Sequence, residues 1–266
     1  MTHRSRRGFT VVELLVLVGS IAIIVALVST GTSRTISMAR GASCRANLRQ
    51  LSIAAESYRS LEGSYPAAVL YHVDAGALRT ASWDFDHRGD GTIEQGPIWS
   101  YLDSDPRVFQ CPDFRGPSTF GADPATGYNY NTTYVGAEGR FPTIDDEGRI
   151  HDGWNNCRKG VPAAIHRRPS NVAIFGDGGW ANGANKFMRA PSCTVEPDVA
   201  MVCAGAQAFR HHNCTNCVFL DGHSECRESA FEGPHASEEL LQEIMDFPRN
   251  GFLSEDDSAY DPGIGS

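Results

Sequence analysis

Arg6-Arg7-Gly8-Phe9-Thr10-Val11-Val12-Glu13-Leu14-Leu15 opens an apolar run, residues 9–28, in which Glu13 is the single ionisable residue. Twenty residues of helix span about 30 Å, the thickness of a bilayer's hydrocarbon core. The run predicts a transmembrane helix over residues 9–29. A carboxylate near the bilayer centre costs at least about 2.5 kcal/mol, so Glu13 calls for a partner. A cut between Gly8 and Phe9 would supply one, because the new α-amino group of Phe9 can sit against Glu13 of a neighbouring subunit. Arg4, Arg6 and Arg7 hold the leader, residues 1–8, in the cytoplasm by the positive-inside rule. The chain after Val28 then lies across the membrane. An ordinary secretory signal would share the arginines, but not a glutamate inside its apolar core, and no A-x-A site closes this one.

The basic leader ending in Gly8, the Phe9 start, Glu13 five positions into the shortened chain and the apolar helix together resemble the type IV prepilin and pseudopilin family. The resemblance implies a prepilin peptidase that cleaves after Gly8 and methylates Phe9. It also implies that Glu13 directs assembly with other pilin-like subunits.

Beyond the anchor, residues 30–62 remain helical in character. Cys44, Leu48, Leu51, Ala55 and Tyr58 recur at helical spacing and predict one buried face, with Arg45, Arg49, Gln50, Glu56 and Arg59 mostly elsewhere. Gly63 and Pro66 end the segment. Anchor and amphipathic half read as one long helix, with Gly31 and Gly41 as places for a kink. The expected fold is α+β and pilin-like: this helix packed on a loop-rich antiparallel sheet within a globular head, residues 63–230.

In the head, short strands are predicted at residues 69–73, 108–111, 171–175 and 216–220, with a helical turn at 98–102. Long loops cover 115–127 and 137–160. Residues 231–266 hold one short helix, capped by Ser237 with Leu240, Leu241, Ile244 and Met245 on one face. From Ser254 onward the acidic tail reads as disordered.

The formal net charge is −9, and loss of the leader arginines leaves 20 basic against 32 acidic residues, or −12. Nucleic acid is excluded as a partner on that balance, since phosphate binding wants Lys and Arg in excess. Eight cysteines, at 44, 111, 157, 193, 203, 214, 217 and 226, lie on the extracytoplasmic side and favour disulfides over free thiols.

His211, nine residues, then Asp221-Gly222 is similar to the H-X9-DG segment of a large group of prepilin-like bacterial proteins. Cys44 with Asn47-Leu48, Cys111-Pro112 and Tyr128-Asn129-Tyr130-Asn131 extend that similarity, which runs from Gly8 to about Glu228. The extra cysteines at 214, 217 and 226 depart from it and suggest a more heavily cross-linked head.

His212, Cys214, Cys217 and His223 could supply four zinc ligands, but an oxidising compartment and a hairpin with its own use for Cys217 argue for disulfides instead. A Cys-His nucleophile pair lacks a third group to orient the base. Asp84, Asp86 and Asp90 have the look of a calcium loop. Their spacing does not fit an EF-hand, although some major pseudopilins hold calcium in a head loop. Asp177-Gly178-Gly179 reads as a turn, and Asp145-Asp146-Glu147-Gly148 as an exposed acidic loop. No cofactor other than that calcium is expected.

Asp221-Gly222 suits a two-residue type I′ hairpin turn. Counting outward from it, Cys217 faces Cys226 in a non-hydrogen-bonded pair with α-carbons about 4.5 Å apart, which predicts a Cys217–Cys226 disulfide. His211 then lies just before the hairpin as a structural hydrogen-bonding residue. Cys193 with Cys203 is a second candidate pair, and Cys111 with Cys157 a weaker one.

Taken together, these features lead to the expectation of a non-enzymatic pseudopilin-like subunit anchored in the inner membrane. It would be built into a filament or a type II secretion pseudopilus. The rival is a permanently tethered periplasmic binding or hydrolytic domain that borrows the prepilin start for targeting alone. Glu13 separates them on this reading, since a mere anchor gains nothing from it.

Overall fold

The computed structural model describes residues 8–74, 77–102, 105–119, 121–136, 143–144, 150–151, 160, 168–193, 196 and 198–263, without the side chains of 27–34, 72–74, 77, 143–144 and 150–151. Residues 1–7 of the leader, the acidic loop at 145–148 and Cys157 lie outside them. In chain order the elements begin with α1 (Val11–Glu62), β1 (Val69–Asp74), β2 (Ala77–Ser82), β3 (Phe85–His87) and β4 (Ile93–Gln95). There follow β5 (Tyr128–Asn131), β6 (Thr143–Ile144), β7 (Ile150–His151), β8 (Ala173–Asp177) and β9 (Phe187–Met188). Last come α2 (Val199–Cys203), β10 (Gln207–Ala208), β11 (Thr215–Phe219), β12 (Ser224–Arg227) and β13 (Asn250–Gly251). Two compact units result, divided between Arg40 and Gly41.

The first unit carries the start of α1. Thr10 and Glu13 form a capping box there: the Thr10 backbone N–H and hydroxyl each donate to Glu13 Oε2 at 2.8 Å, and Glu13 N–H donates to Thr10 Oγ1 at 3.2 Å. Val11, Val12, Leu14, Leu15, Val16, Leu17 and Val18 are all exposed. At 100° per residue they cover every face of the helix. Among the described residues no helix is both long and apolar enough to cross a membrane; the described side chains of this run end at Ala26.

The second unit is the α+β head. The rest of α1 buries Cys44, Leu48, Leu51 and Ala55 completely, as the helical spacing predicts, and Ala54 beside them, while Tyr58 is half-buried. Each leucine so removed from water contributes about 1.5–3 kcal/mol. The helix stops at Glu62 because Gly63, at φ +78°, turns the chain left-handed, and Gly63 N–H donates back to Arg59 O at 2.9 Å. Five strands in the order β12-β11-β8-β5-β9 form the central sheet, antiparallel except for the β5/β9 pair. Strands β1 to β4 form an antiparallel meander.

The central sheet has a core on each face. On one, Leu48 and Leu51 of α1 join Trp83, Phe85, Phe109, Tyr130, Phe175 and Val218. On the other, Cys217 and Phe219 meet Met188, Met245, Phe252 and Tyr260. That two-sided burial explains why β11 is buried at all five positions rather than alternately.

Two expectations about elements, the strand at 108–111 and the disordered tail, are corrected. Residues 108–111 are not a strand: Pro106–Phe109 is a 3-10 helix capped by Asp105, which accepts from Arg107 N–H at 2.9 Å. The expected helical turn near 98–102 is a 3-10 helix, Pro97–Tyr101, and the C-terminal helix does start at Ser237 but passes into a π turn at Leu241–Met245. The tail after Ser254 is ordered through Gly263. Tyr260 is fully buried, its backbone carbonyl accepts from Asn131 Nδ2 at 2.8 Å, and its hydroxyl accepts from Leu253 N–H at 2.8 Å. One inserted aromatic outweighs an acidic composition.

Candidate functional site

Four side chains from four distant stretches converge beneath α1. Cys44 comes from the buried face of the helix, and Asp177 from the last position of β8. Cys111 follows the 3-10 helix at Pro106–Phe109. His211 is set by a two-residue turn in which His212 and Asn213 both take positive φ, 54° and 63°. There His211 and Cys214 exchange backbone hydrogen bonds of 3.1 and 3.2 Å, so the tight turn of primed hand falls here. Gly127, at φ +125°, stands against Cys111: a Cβ on it would lie 2.5 Å from Cys111 Cβ.

The ligand-type atoms of Cys44, Cys111, Asp177 and His211 all lie within 4.8 Å of one another, and all four residues are buried. Cys44 Sγ donates to Asp177 Oδ1 at 3.1 Å. His211 Nε2 is 3.3 Å from Asp177 Oδ2 and 3.6 Å from Cys111 Sγ. The other imidazole nitrogen, Nδ1, faces Asp113 Oδ2 at 2.9 Å. Asp177 Oδ2 also accepts from Asn216 N–H at 2.8 Å.

The charges follow from these contacts. The neighbouring Cys44 thiol is the main cause that lowers Cys111, to about 6, against the opposing effect of burial and with help from His211. Burial, with the Cys111 hydrogen bond and the Asp177 charge, pushes the Cys44 thiol far up. Burial alone would neutralise both Asp177 and His211. Instead His211, Arg210 and the Asn216 amide hold Asp177 below its ordinary value, while Asp177 and Cys111 raise His211 to about 10. These directions favour a thiolate at Cys111, an imidazolium at His211 and a carboxylate at Asp177 beside a neutral Cys44 thiol, all four buried. Such a set can hold a soft or borderline metal, or close a Cys44–Cys111 disulfide.

The residues singled out from the sequence fall in different places. His211 is buried, and it serves this cluster rather than the hairpin. Asp221 and Gly222 are exposed, and Asp221 Oδ1 pairs with His223 Nδ1 at 2.5 Å. The hairpin loop has three residues, not two. Gly222 N–H donates to Phe219 O at 2.8 Å, Phe219 N–H to His223 O at 3.0 Å, and Gly222 takes φ +85°. This is a type I turn closed by a left-handed glycine. The extra residue shifts the register by one, so Cys226 faces Asn216 and Cys217 faces Glu225.

The Cys217–Cys226 expectation is therefore corrected. The disulfide joins Cys214 to Cys226, with α-carbons 5.6 Å apart, while Cys217 is free in the second core. The zinc set His212, Cys214, Cys217 and His223 is dissolved by that bond. Cys193 and Cys203 are unpaired too: Cys203 ends α2 facing the second core, while Cys193 closes a turn on Ala190 O at 3.1 Å. Cys111 is free.

The three acids of the calcium reading each have a protein partner, and the metal-competent group found among the described residues lies elsewhere. Asp84 pairs with buried Lys186 at 2.8 Å, Asp86 with Arg79, and Asp90 accepts from Thr92 N–H at 2.9 Å. Gly8, Phe9 and Glu13 lie in the first unit, apart from this chemistry.

Sequence reading missed Asp177 and Asp113. The available signal was an unbroken buried strand running into a carboxylate, Ala173-Ile-Phe-Gly-Asp177. Compared with protein-family models, curated proteins and solved structures, the chain matches none.

Proposed function

We propose that the chain is a non-enzymatic, membrane-anchored pilin-like subunit, cut by a prepilin peptidase between Gly8 and Phe9 and assembled with other pilin-like subunits into a filament or a type II secretion pseudopilus. The observation that carries this reading is a helix apolar on every face, with one carboxylate, directly behind Arg6-Arg7-Gly8-Phe9. A helix apolar all round belongs in lipid or among other helices. In the inner membrane it would anchor the head on the extracytoplasmic side. After extraction the same surface would pack against neighbouring subunits, with Glu13 against the Phe9 amine of the next.

One observation favours the rival, a permanently tethered periplasmic domain. The Thr10–Glu13 capping box gives Glu13 a use inside its own helix, so the expectation that a mere anchor gains nothing from it is corrected. Glu13→Gln separates the two uses, because glutamine also completes a capping box but carries no charge. The filament reading expects Glu13→Gln to keep helix and membrane retention while cysteine cross-linking between neighbouring α1 segments is lost. Undiminished cross-linking would favour the tethered domain.

A further inference from the structure

We propose that Cys44, Cys111, Asp177 and His211 bind one Zn2+ ion that fastens α1 to the central sheet of the head. The donor set is the first argument. Two sulfurs, one imidazole nitrogen and one carboxylate oxygen make a borderline-soft group of four, the number a closed structural zinc site uses. Tetrahedral bonds of 2.0–2.3 Å place neighbouring ligand atoms about 3.3–3.8 Å apart. Cys44 Sγ is 3.1 Å from Asp177 Oδ1, His211 Nε2 is 3.3 Å from the other oxygen, Oδ2, and Cys111 Sγ is 3.6 Å from His211 Nε2, so a small rotation of the carboxylate brings a single oxygen to both neighbours.

The surroundings are the second argument, independent of the first. A metal-bound histidine usually turns its other ring nitrogen to a carboxylate, and a ligating carboxylate is usually itself hydrogen-bonded. Here Nε2 points at the other three donors while Nδ1 faces Asp113 at 2.9 Å, and Asp177 is held by the Asn216 amide. A Cys44–Cys111 disulfide would use only two of the four groups, whereas one ion engages all four. The carboxylate argues against Cu+, which prefers all-soft ligands. Zn2+ with two thiolates and one carboxylate leaves one negative charge, and Arg210 acts electrostatically on both Cys111 and Asp177. Binding releases the Cys44 thiol proton and the proton on His211 Nε2. With every donor buried, no open position faces solvent, so the ion would be structural.

The test uses the full chain in detergent, prepared with a thiol reductant, and measures Zn2+ stoichiometry by native mass spectrometry and the ligand-field spectrum after Co2+ substitution. One Zn2+ per chain and a tetrahedral, thiolate-bound Co2+ spectrum are expected, both lost in Cys44→Ser and Cys111→Ser. Asp113→Asn lies outside the donor set and keeps the shape. It should weaken Zn2+ by about 10–100-fold with the fold intact, which covers the case in which the cysteine variants fail to fold. A reduced, folded chain that takes up neither ion would overturn the proposal. So would Zn2+ binding unchanged in the folded cysteine variants, which is an adventitious ion only, or a native Cys44–Cys111 disulfide in chain isolated without reductant.

Discussion

The two units of the chain treat apolar surface in opposite ways. Val11 and Leu15 in the first are 78% and 71% exposed, whereas Leu48 and Leu51 of the same helix in the second are fully buried. The first stretch is apolar on every face and the second on one face alone, and only for the second does the chain itself supply a cover. The head does so with two cores and pairs its buried charges internally. Lys186 sits between Asp84 and Asp123 at 2.8 and 2.9 Å, and His87 also reaches Asp123 at 2.7 Å. The first unit leaves its cover to lipid or to other subunits on the proposed reading.

Breaking the head from within should give the largest effect. Lys186→Met leaves two carboxylates buried without their cation and should cost about 3–5 kcal/mol in denaturant unfolding of the head. A loss under about 1 kcal/mol would mean that the trio is solvated. Reduction of Cys214–Cys226, which are 12 residues apart, should cost about 3 kcal/mol in the chain-entropy picture, read as a shift in midpoint with added reductant. Tyr260→Phe removes only the acceptor of the Leu253 N–H and should cost about 1–3 kcal/mol. No change there would return the tail to the disorder its composition suggests.

The smallest effect sharpens the contrast. Ile21→Arg should leave head stability within about 0.5 kcal/mol. It should nonetheless weaken membrane retention in a fractionation experiment, since a charge at the centre of a spanning helix costs about 2.5–3.5 kcal/mol. Equal loss of head stability would mean that the two units fold as one.

The parts legible in the sequence were those that a local repeat encodes. Cys44, Leu48, Leu51 and Ala55 announced the helix face through their spacing, and Gly63 its end. The cluster was not legible, because its residues sit at 44, 111, 177 and 211 and no window holds two of them. Cys44, Cys111 and His211 stand in separate motifs, while the two glycines after Asp177 make it look like part of a turn. The hairpin shows how narrow the margin is. Asp221-Gly222 was rightly placed in the turn, yet one more loop residue moved the partner of Cys226 from Cys217 to Cys214. Turn length fixes register, and Asp-Gly suits both two-residue and three-residue loops.

The central claim is that the exposed apolar helix begins a processed pilin-like subunit, and the mass of the mature N-terminus tests it most directly. Intact-mass and N-terminal peptide measurements on chain from the membrane fraction should find it starting at N-methylated Phe9. A chain that still begins at Met1, or one that starts beyond Val28, would contradict the account.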